Sequence, residues 1–131
     1  MLIEWNDKKY GVGVAEIDSQ HKDLVQMINY LHEEQKKGLG KEALGKLFIS
    51  LEAYSNEHFS CEEDYLKNSS FLKEQQHEHE MFTKNLKNHL NNYEKYTFCI
   101  SLDIMEFLRD WLTNHILGLD RKSFLGEQNE K

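Results

Sequence analysis

The sequence predicts an all-α domain folded as an up-down-up-down bundle of four helices. It contains no proline and only seven glycines among 131 residues, a composition that favours long uninterrupted helices. Four stretches of the chain carry apolar residues at steps of three and four, the period of a helix with one buried face. Short connections separate these stretches, so consecutive helices are expected to be antiparallel neighbours in a single domain, residues 1–131.

The N-terminal stretch, residues 1–17, is predicted to be an extended arm that docks on the bundle. Its two glycines make a helix unfavourable, while its aromatic and aliphatic residues give it an apolar surface. Asp18 or Ser19 is the predicted N-terminal cap of the first bundle helix. The glycines of segment 38–40 are expected to end that helix.

The later helices follow from the same periodicity. The second is predicted from about Lys41 to Lys67 and is followed by a short polar turn. The third is expected to run to about Tyr93, with a break near residues 94–97. The fourth helix is expected to end or become irregular at Gly118. The tail, residues 126–131, is expected to be frayed.

The composition excludes several kinds of partner and location. A net charge of −7 argues against nucleic acid, and the chain has no basic run suited to an anionic membrane surface. It has no apolar run of membrane-spanning length and no N-terminal signal pattern, which predicts a cytoplasmic protein. In that compartment Cys61 and Cys99 are expected to be free thiols.

The second helix carries the first sign of a functional site. His58 and Glu62 are four residues apart, which places their side chains on one face of a helix, about one turn apart. That face is also the apolar stripe, so both residues are expected to point into the core. An ionised carboxylate is costly to bury unless it is paired or bound to a metal. A single such pair is compatible with an ordinary hydrogen-bonded contact, so the decision depends on further inward-facing ligands.

Helical phase supplies those ligands from the other three helices. On the third helix His79 lies on the apolar face, one turn after Gln75, whereas His77 shares the opposite face with Met81. The polar residues predicted to face inward are His21, His58, Glu62, His79, His115 and Asp120.

This set of side chains predicts a pair of metal ions. Imidazoles combined with two carboxylates suit iron, zinc or manganese, and the carboxylates of Glu62 and Asp120 are able to bridge two ions. Six ligands are more than a single tetrahedral zinc requires. If these polar residues were unrelated to one another, the core would bury two carboxylates without positively charged partners, because no lysine or arginine is in phase with either. Such burial is normally avoided, which favours a metal site.

Taken together, these motifs make the sequence resemble the bacteriohemerythrins, the bacterial branch of the hemerythrin family. The resemblance extends from Trp5 to Phe124, nearly the whole chain. The matching segments are Ile17-Asp18-Ser19-Gln20-His21, His58-Phe59 with Glu62-Glu63, Glu78-His79 with Phe82, and Trp111-Leu112-Thr113-Asn114-His115-Ile116 with Asp120.

The resemblance implies a non-haem di-iron centre that binds O2 as its ligand. Two iron ions (Fe2+/Fe3+) would be bridged by an oxo or hydroxo group and by the carboxylates of Glu62 and Asp120. The histidines would divide into a pair for the dioxygen-binding iron and a pair for the other iron, His21 with His58 and His79 with His115.

The resemblance also implies an apolar oxygen pocket beside the irons. Such a wall excludes the water and protons that drive irreversible oxidation. By position, the wall residues would be Phe59, Trp111, Leu112 and Ile116.

One position departs from the family pattern, in which the third helix carries two histidines four residues apart. Alignment on Glu78-His79 places Gln75 at the first of them, whereas an ungapped alignment makes His77 the first and Met81 the second. Helical phase favours Gln75, and a bulge or irregular first turn would favour His77. If Gln75 takes the place of the first histidine, it would ligate weakly through its amide oxygen, yield its place to water, or leave the second iron with an open site.

Three functions are compatible with these residues. The leading prediction is a non-enzymatic protein that binds dioxygen reversibly for storage, delivery or sensing, since no catalytic base or substrate pocket is evident beyond the metal site. The alternative is a di-iron enzyme that reduces peroxide or NO, or acts as an oxidase, through a site opened by Gln75. A redox-sensing module is a third, for which Cys61 beside Glu62 is the only indication. The sequence identifies no protein partner.

Overall fold

All secondary structure in the described part of the chain is helical, which confirms the predicted class. The computed structural model describes residues 2–37, 41–95 and 100–129, with only the backbone described for residues 41–44, 92–95, 100–103 and 126–129. In chain order the elements are α1 (Asp7–Tyr10), α2 (Ala15–Lys36), α3 (Lys41–Tyr65), α4 (Leu72–Lys95), α5 (Ile100–His115), a π-helical segment (Ile116–Asp120) and α6 (Arg121–Asn129).

Helices α2 to α5 form the predicted four-helix bundle. Each packs on the next, and α2 also packs on α5, which closes the ring. The contacts between α2 and α3 show that these helices run in opposite directions. Asp23 of α2 contacts Tyr54 of α3, whereas the earlier residue Glu16 contacts the later residue Tyr65. The helices are therefore antiparallel neighbours, as their short connections require. Across the described ranges, no helix combines the length and the apolar character that crossing a bilayer demands.

The N-terminal segment docks on the bundle but is not extended throughout. Residues Asp7–Tyr10 form one helical turn, α1, because the side chain of Asn6 accepts hydrogen bonds from two backbone amides of that turn. The backbone of Ile3 exchanges two hydrogen bonds of 2.8 Å with the side chain of Asn29. These contacts fix the segment against α2.

The predicted cap of the first bundle helix is wrong. Helix α2 begins at Ala15, after Val14, and neither Asp18 nor Ser19 precedes it. Asp18 instead lies in the first turn, and its Oδ1 accepts a 2.8 Å hydrogen bond from the backbone amide of Val12. The aspartate reaches back from inside the helix and holds the preceding loop, a role that its position in sequence does not distinguish from capping.

Other predicted boundaries differ from the structure by about two residues. Helix α3 ends at Tyr65 and α4 at Lys95, within the uncertainty of any helix end. The predicted break after the third helix falls largely on residues 96–99, which lie outside the described residues, as do Cys99 and segment 38–40. The backbone of the predicted frayed tail is helical to Asn129, and its last two residues lie outside the described residues. Cys61 is a free thiol.

The bundle interior is layered, with polar side chains between two apolar clusters. The smaller cluster, at the end near the N-terminal segment, consists of Val12, Ile17, Leu66 and Phe124. The larger cluster fills the rest of the bundle and includes Leu24, Ile28, Phe48, Leu51, Phe82, Leu86, Ile104 and Leu108. The polar residues lie about one helical turn along the bundle axis from each apolar cluster. The two clusters therefore cover the polar layer from above and below.

Candidate metal centre

The layer between the apolar clusters is made by the six residues predicted to face inward. All are at least 96 % buried: His21, His58, Glu62, His79, His115 and Asp120. Two further polar residues, Gln75 and Ser123, are fully buried beside them. His77 is exposed on the opposite face of α4, and so is Met81. Helix α4 is regular at this point and places Gln75 inward.

The π-helical segment explains how Asp120 reaches the layer. His115 and Asp120 are five residues apart, and on an α-helix this spacing would turn their side chains about 140° away from each other. Residues Ile116–Asp120 form a π-helical turn, which takes up one extra residue and returns Asp120 to the face of His115. Such turns occur frequently at functional sites.

Glu62 lies at the centre of the layer. Its Oε1 is 3.3 Å from Nε2 of His58 and 3.2 Å from Nε2 of His79. Its Oε2 is 3.4 Å from Nε2 of His21. A single carboxylate therefore contacts histidines of three different helices.

Asp120 spans the layer in the same way from the opposite side. Its Oδ2 is 3.1 Å from Nε2 of His21, and its Oδ1 is 3.1 Å from Nε2 of His115. The four histidines form two pairs, His21 with His58 and His79 with His115, and each carboxylate contacts at least one histidine of each pair. We call the place of His21 and His58 the first position and that of His79 and His115 the second position.

These contacts form two groups of three metal-binding side chains that share one member. The first group is His21, His58 and Glu62, and the second is Glu62, His79 and His115. Within each group the potential ligand atoms lie within 4.8 Å of one another. Ions held by these two groups would share Glu62 as a ligand, and Asp120, which lies close to His21 and His115, would be a further ligand.

Most potential ligand atoms have no hydrogen-bond partner among the described residues. The short nitrogen–oxygen distances lack hydrogen-bond geometry, and neither carboxylate has a lysine or arginine partner there. The atoms left unpaired are Nδ1 and Nε2 of His21, both carboxylate oxygens of Glu62, Oε1 of Gln75, Nε2 of His79, Nε2 of His115 and Oδ2 of Asp120. Buried polar atoms are normally paired, so these donor atoms fit a pair of metal ions.

The electrostatics of the layer agree with a site for cations. Burial alone lowers the pKa of the His21 imidazole, but the carboxylates of Asp120 and Glu62 outweigh burial and raise it to about 9. The pKa of His115 rises to about 10, again because nearby carboxylates outweigh burial. Burial alone would raise the pKa of Glu62, yet the surrounding histidines hold it well below its usual range. The layer therefore attracts positive charge, which metal ions supply when they displace protons from imidazoles.

Side chains behind the polar layer form hydrogen bonds that orient three of its four histidines. Nδ1 of His79 donates to a carboxylate oxygen of Glu63 at 2.8 Å, and Nδ1 of His115 donates to Glu78 at 2.7 Å. Nδ1 of His58 lies 2.6 Å from the side-chain oxygen of Gln20, a neutral acceptor. These bonds leave Nε2 of each ring free for a metal, as in most metal-binding histidines.

Aromatic rings pack against both histidines of the second position. The ring of Phe59 stacks on His79 with centroids 4.0 Å apart, and that of Trp111 stacks on His115 at 4.4 Å. Both aromatic residues also line a small cavity of about 10 Å³. The cavity is thus adjacent to the polar layer.

Three of the four predicted pocket residues line this cavity. Phe59, Trp111 and Leu112 belong to its wall, whereas Ile116 is buried in the same apolar cluster without lining it. Helical periodicity gives no indication of Ser55, a buried hydroxyl in the wall, or of a role for Ser123. The contacts of Gln20, Glu63 and Glu78 with the histidines were not predicted. The available signal was that each of the three is adjacent in sequence to a predicted ligand.

Comparisons with known proteins agree on one family. Residues 12–124 match the family described as hemerythrin HHE cation binding domain. A bacteriohemerythrin of Clostridium acetobutylicum is 30% identical over 131 residues, covering 92% of this chain and 98% of that protein. A bacteriohemerythrin of Methylococcus capsulatus is 28% identical over 92% of each chain. A crystal structure of wild-type hemerythrin superimposes with a TM-score of 0.82 at 27% identity, over 92% of this chain and 94% of that one.

Proposed function

Because this chain belongs to the hemerythrin family, we propose that it binds dioxygen reversibly at a carboxylate-bridged non-haem di-iron centre. The observation that carries the proposal is the pair of three-residue groups sharing Glu62. In this proposal His21 and His58 would hold the iron that supplies the dioxygen-binding site, and His79 and His115 would hold the other iron.

The residues around the centre favour reversible binding over irreversible oxidation. When bound, two reduced iron ions would supply the electrons that dioxygen binding needs. The protein contributes an apolar surrounding: the cavity beside the layer is walled almost entirely by aliphatic and aromatic side chains. At about 10 Å³ it is close to the smallest space that holds one water-sized molecule, so dioxygen enters only when the walls move slightly.

An absorption spectrum measured during gas exchange tests this proposal. Iron-loaded protein is reduced under vacuum, exposed to air and evacuated again. We expect a visible charge-transfer band that develops in air and is lost under vacuum over repeated cycles. A band that never develops, or that persists after evacuation, contradicts reversible binding.

One observation favours a second function, a di-iron enzyme that reduces peroxide or NO or acts as an oxidase. The fully buried Gln75 occupies the place where the resemblance implies a histidine, and a weaker ligand there would open the second metal to substrate. Under this alternative, reduced protein supplied with an electron donor consumes dioxygen or peroxide over many turnovers. A carrier consumes no more than one equivalent per centre.

Storage, delivery and sensing differ in the step that comes after dioxygen binding. A storage or delivery protein releases dioxygen unchanged, whereas a sensor changes its affinity for another protein. Binding of candidate partners to the reduced protein with and without dioxygen separates these uses. Equal affinity in both states argues for storage or delivery.

A further inference from the structure

Gln75 has the most unusual hydrogen bonding in the polar layer. It is fully buried on α4, one turn before His79, and its amide nitrogen lies between two acceptors. Nε2 is 2.8 Å from Oδ1 of Asp120 and 3.1 Å from Oγ of Ser123. The side chain therefore joins α4 to the segment that carries the bridging aspartate.

These contacts determine which way the amide faces. A carboxylate accepts hydrogen bonds and does not donate them, so the group 2.8 Å from Asp120 must be the amide NH2. The opposite orientation would place two oxygen atoms against each other at that distance. Both amide hydrogens are then used, one on Asp120 and one on Ser123.

The orientation leaves Oε1 of Gln75 as a buried acceptor without a donor. None of the described residues donates to it, although buried carbonyl oxygens are normally satisfied. The same amide contacts the aspartate oxygen that lies 3.1 Å from Nε2 of His115. The amide of Gln75 thus lies beside the second position, and Oε1 is its one atom without a partner among the described residues.

We propose that Gln75 is a ligand of the metal at the second position and coordinates it through Oε1. Its amide NH2 keeps Asp120 and Ser123 in place while the oxygen faces the metal. This inference rests on the proposed function, since it presupposes a metal at each position. It deepens that function: an amide oxygen closes the second metal to exogenous ligands, so dioxygen is confined to the first.

A titration with Co2+ under anaerobic conditions tests the assignment without relying on dioxygen chemistry. Co2+ suits imidazole and oxygen ligands, and its visible absorption strengthens as its coordination number falls. Metal-free protein is titrated as the natural chain and as Gln75→Leu, which removes both the oxygen and the NH2. Gln76→Leu is the matched control, because it makes the same change at the adjacent exposed position.

We expect Gln75→Leu to bind the first equivalent of Co2+ normally. It should bind the second at least about tenfold more weakly, with a more intense visible spectrum. Gln76→Leu should match the natural chain. If Gln75→Leu equals the natural chain in both affinity and spectrum, Gln75 is not a ligand. If the natural chain takes up no second equivalent, the proposed two-metal function fails instead.

A second variant separates the oxygen from the NH2. Gln75→Glu keeps an oxygen donor and loses the hydrogen bonds to Asp120 and Ser123, so we expect it to bind the second equivalent at least as tightly as the natural chain does. Weak binding by Gln75→Glu and Gln75→Leu alike would overturn the assignment, because the NH2 contacts alone would then account for the effect. Ser123→Ala, which removes one of those contacts, should retain the natural spectrum.

Discussion

The histidines of the two metal positions differ in the charge of the group behind them. Both histidines of the second position donate to carboxylates, Glu63 and Glu78, whereas His58 of the first position faces the neutral side chain of Gln20. A carboxylate acceptor makes the imidazole a stronger electron donor to its metal. The carboxylates are therefore expected to strengthen metal binding at the second position and to make the metal there easier to oxidise.

Replacing one of these carboxylates by its amide tests that difference. Glu78→Gln keeps an acceptor for His115 but removes the charge, and we expect the affinity for the second Fe2+ to fall by about tenfold, the lower end for such changes because Glu78 is 41 % exposed. Glu80→Gln, an exposed position on the same helix, is the matched control. Equal Fe2+ affinities in the two variants would show that the charge of Glu78 does not affect metal binding.

At the scale of elements, the π-helical segment aligns Asp120 with His115, and Gly118 lies in its middle. A methyl group at Gly118 would meet no described atom within 4 Å apart from its chain neighbours and the nearby backbone of its own helix, and the same holds for Gly45 in α3. Alanine favours the regular α-helix over glycine by about 0.5–1 kcal/mol. In the π-helical segment that preference opposes the turn that Asp120 needs.

We therefore expect different results from the same substitution at these two glycines. Gly45→Ala should raise the free energy of unfolding by about 0.5–1 kcal/mol, and Gly118→Ala should raise it less or lower it. Urea unfolding of the metal-loaded protein measures both. Equal gains would indicate that the π-helical segment has no conformational cost.

The N-terminal segment is attached to the first residue of α6, directly after Asp120. Nη1 of Arg121, the residue after Asp120, donates to the backbone carbonyls of Lys9 and Gly11 at 2.9 and 2.7 Å. The segment therefore covers the end of the bundle next to the polar layer.

Removing this attachment should loosen the segment before the bundle unfolds. We expect Arg121→Ala to lower the free energy of unfolding by about 1–2 kcal/mol, as for hydrogen bonds from a charged donor, and to speed proteolytic cleavage near Gly13. Arg121→Lys keeps the charge but loses the planar geometry, and should be intermediate. Cleavage at the natural rate in Arg121→Ala would contradict the attachment.

At the scale of the whole molecule, the bundle contains a polar layer that metals are expected to stabilise. A ligand present at 100 times its dissociation constant stabilises the folded state by about 2.7 kcal/mol. For two metals, and a chain of this size, their removal should lower the melting temperature by more than about 10 °C. Melting curves with and without a chelator measure this. Identical curves would mean that the layer does not bind metals in the folded state.

Helical phase predicts the architecture and most of the buried polar residues, but not Ser55, Ser123 or the alignment of Asp120 with His115. Side-chain direction along an α-helix advances by a fixed angle per residue, so the inward faces of His58, Glu62 and His79 follow from their spacing to neighbouring apolar residues. The same reasoning places Gln75 inside and His77 outside, as observed.

Features that depend on contacts between helices were not predictable in the same way. Gln20, Glu63 and Glu78 each point sideways from a neighbouring ligand, and their role depends on which helix lies alongside. The π-helical segment depends on the balance between local backbone preference and the position that Asp120 takes in the bundle. The helical turn of α1 depends on the cap supplied by Asn6, which outweighs the nearby glycines.

The most direct test of the central claim, that the buried layer holds two metal ions, is the iron content of the protein purified from iron-replete cells. Elemental analysis should give close to two irons per chain, the number of three-ligand groups in the layer. The same analysis of Glu62→Leu, which removes the side chain shared by both groups, should give much less than one. Colourless natural protein with far less than two irons per chain would contradict the account.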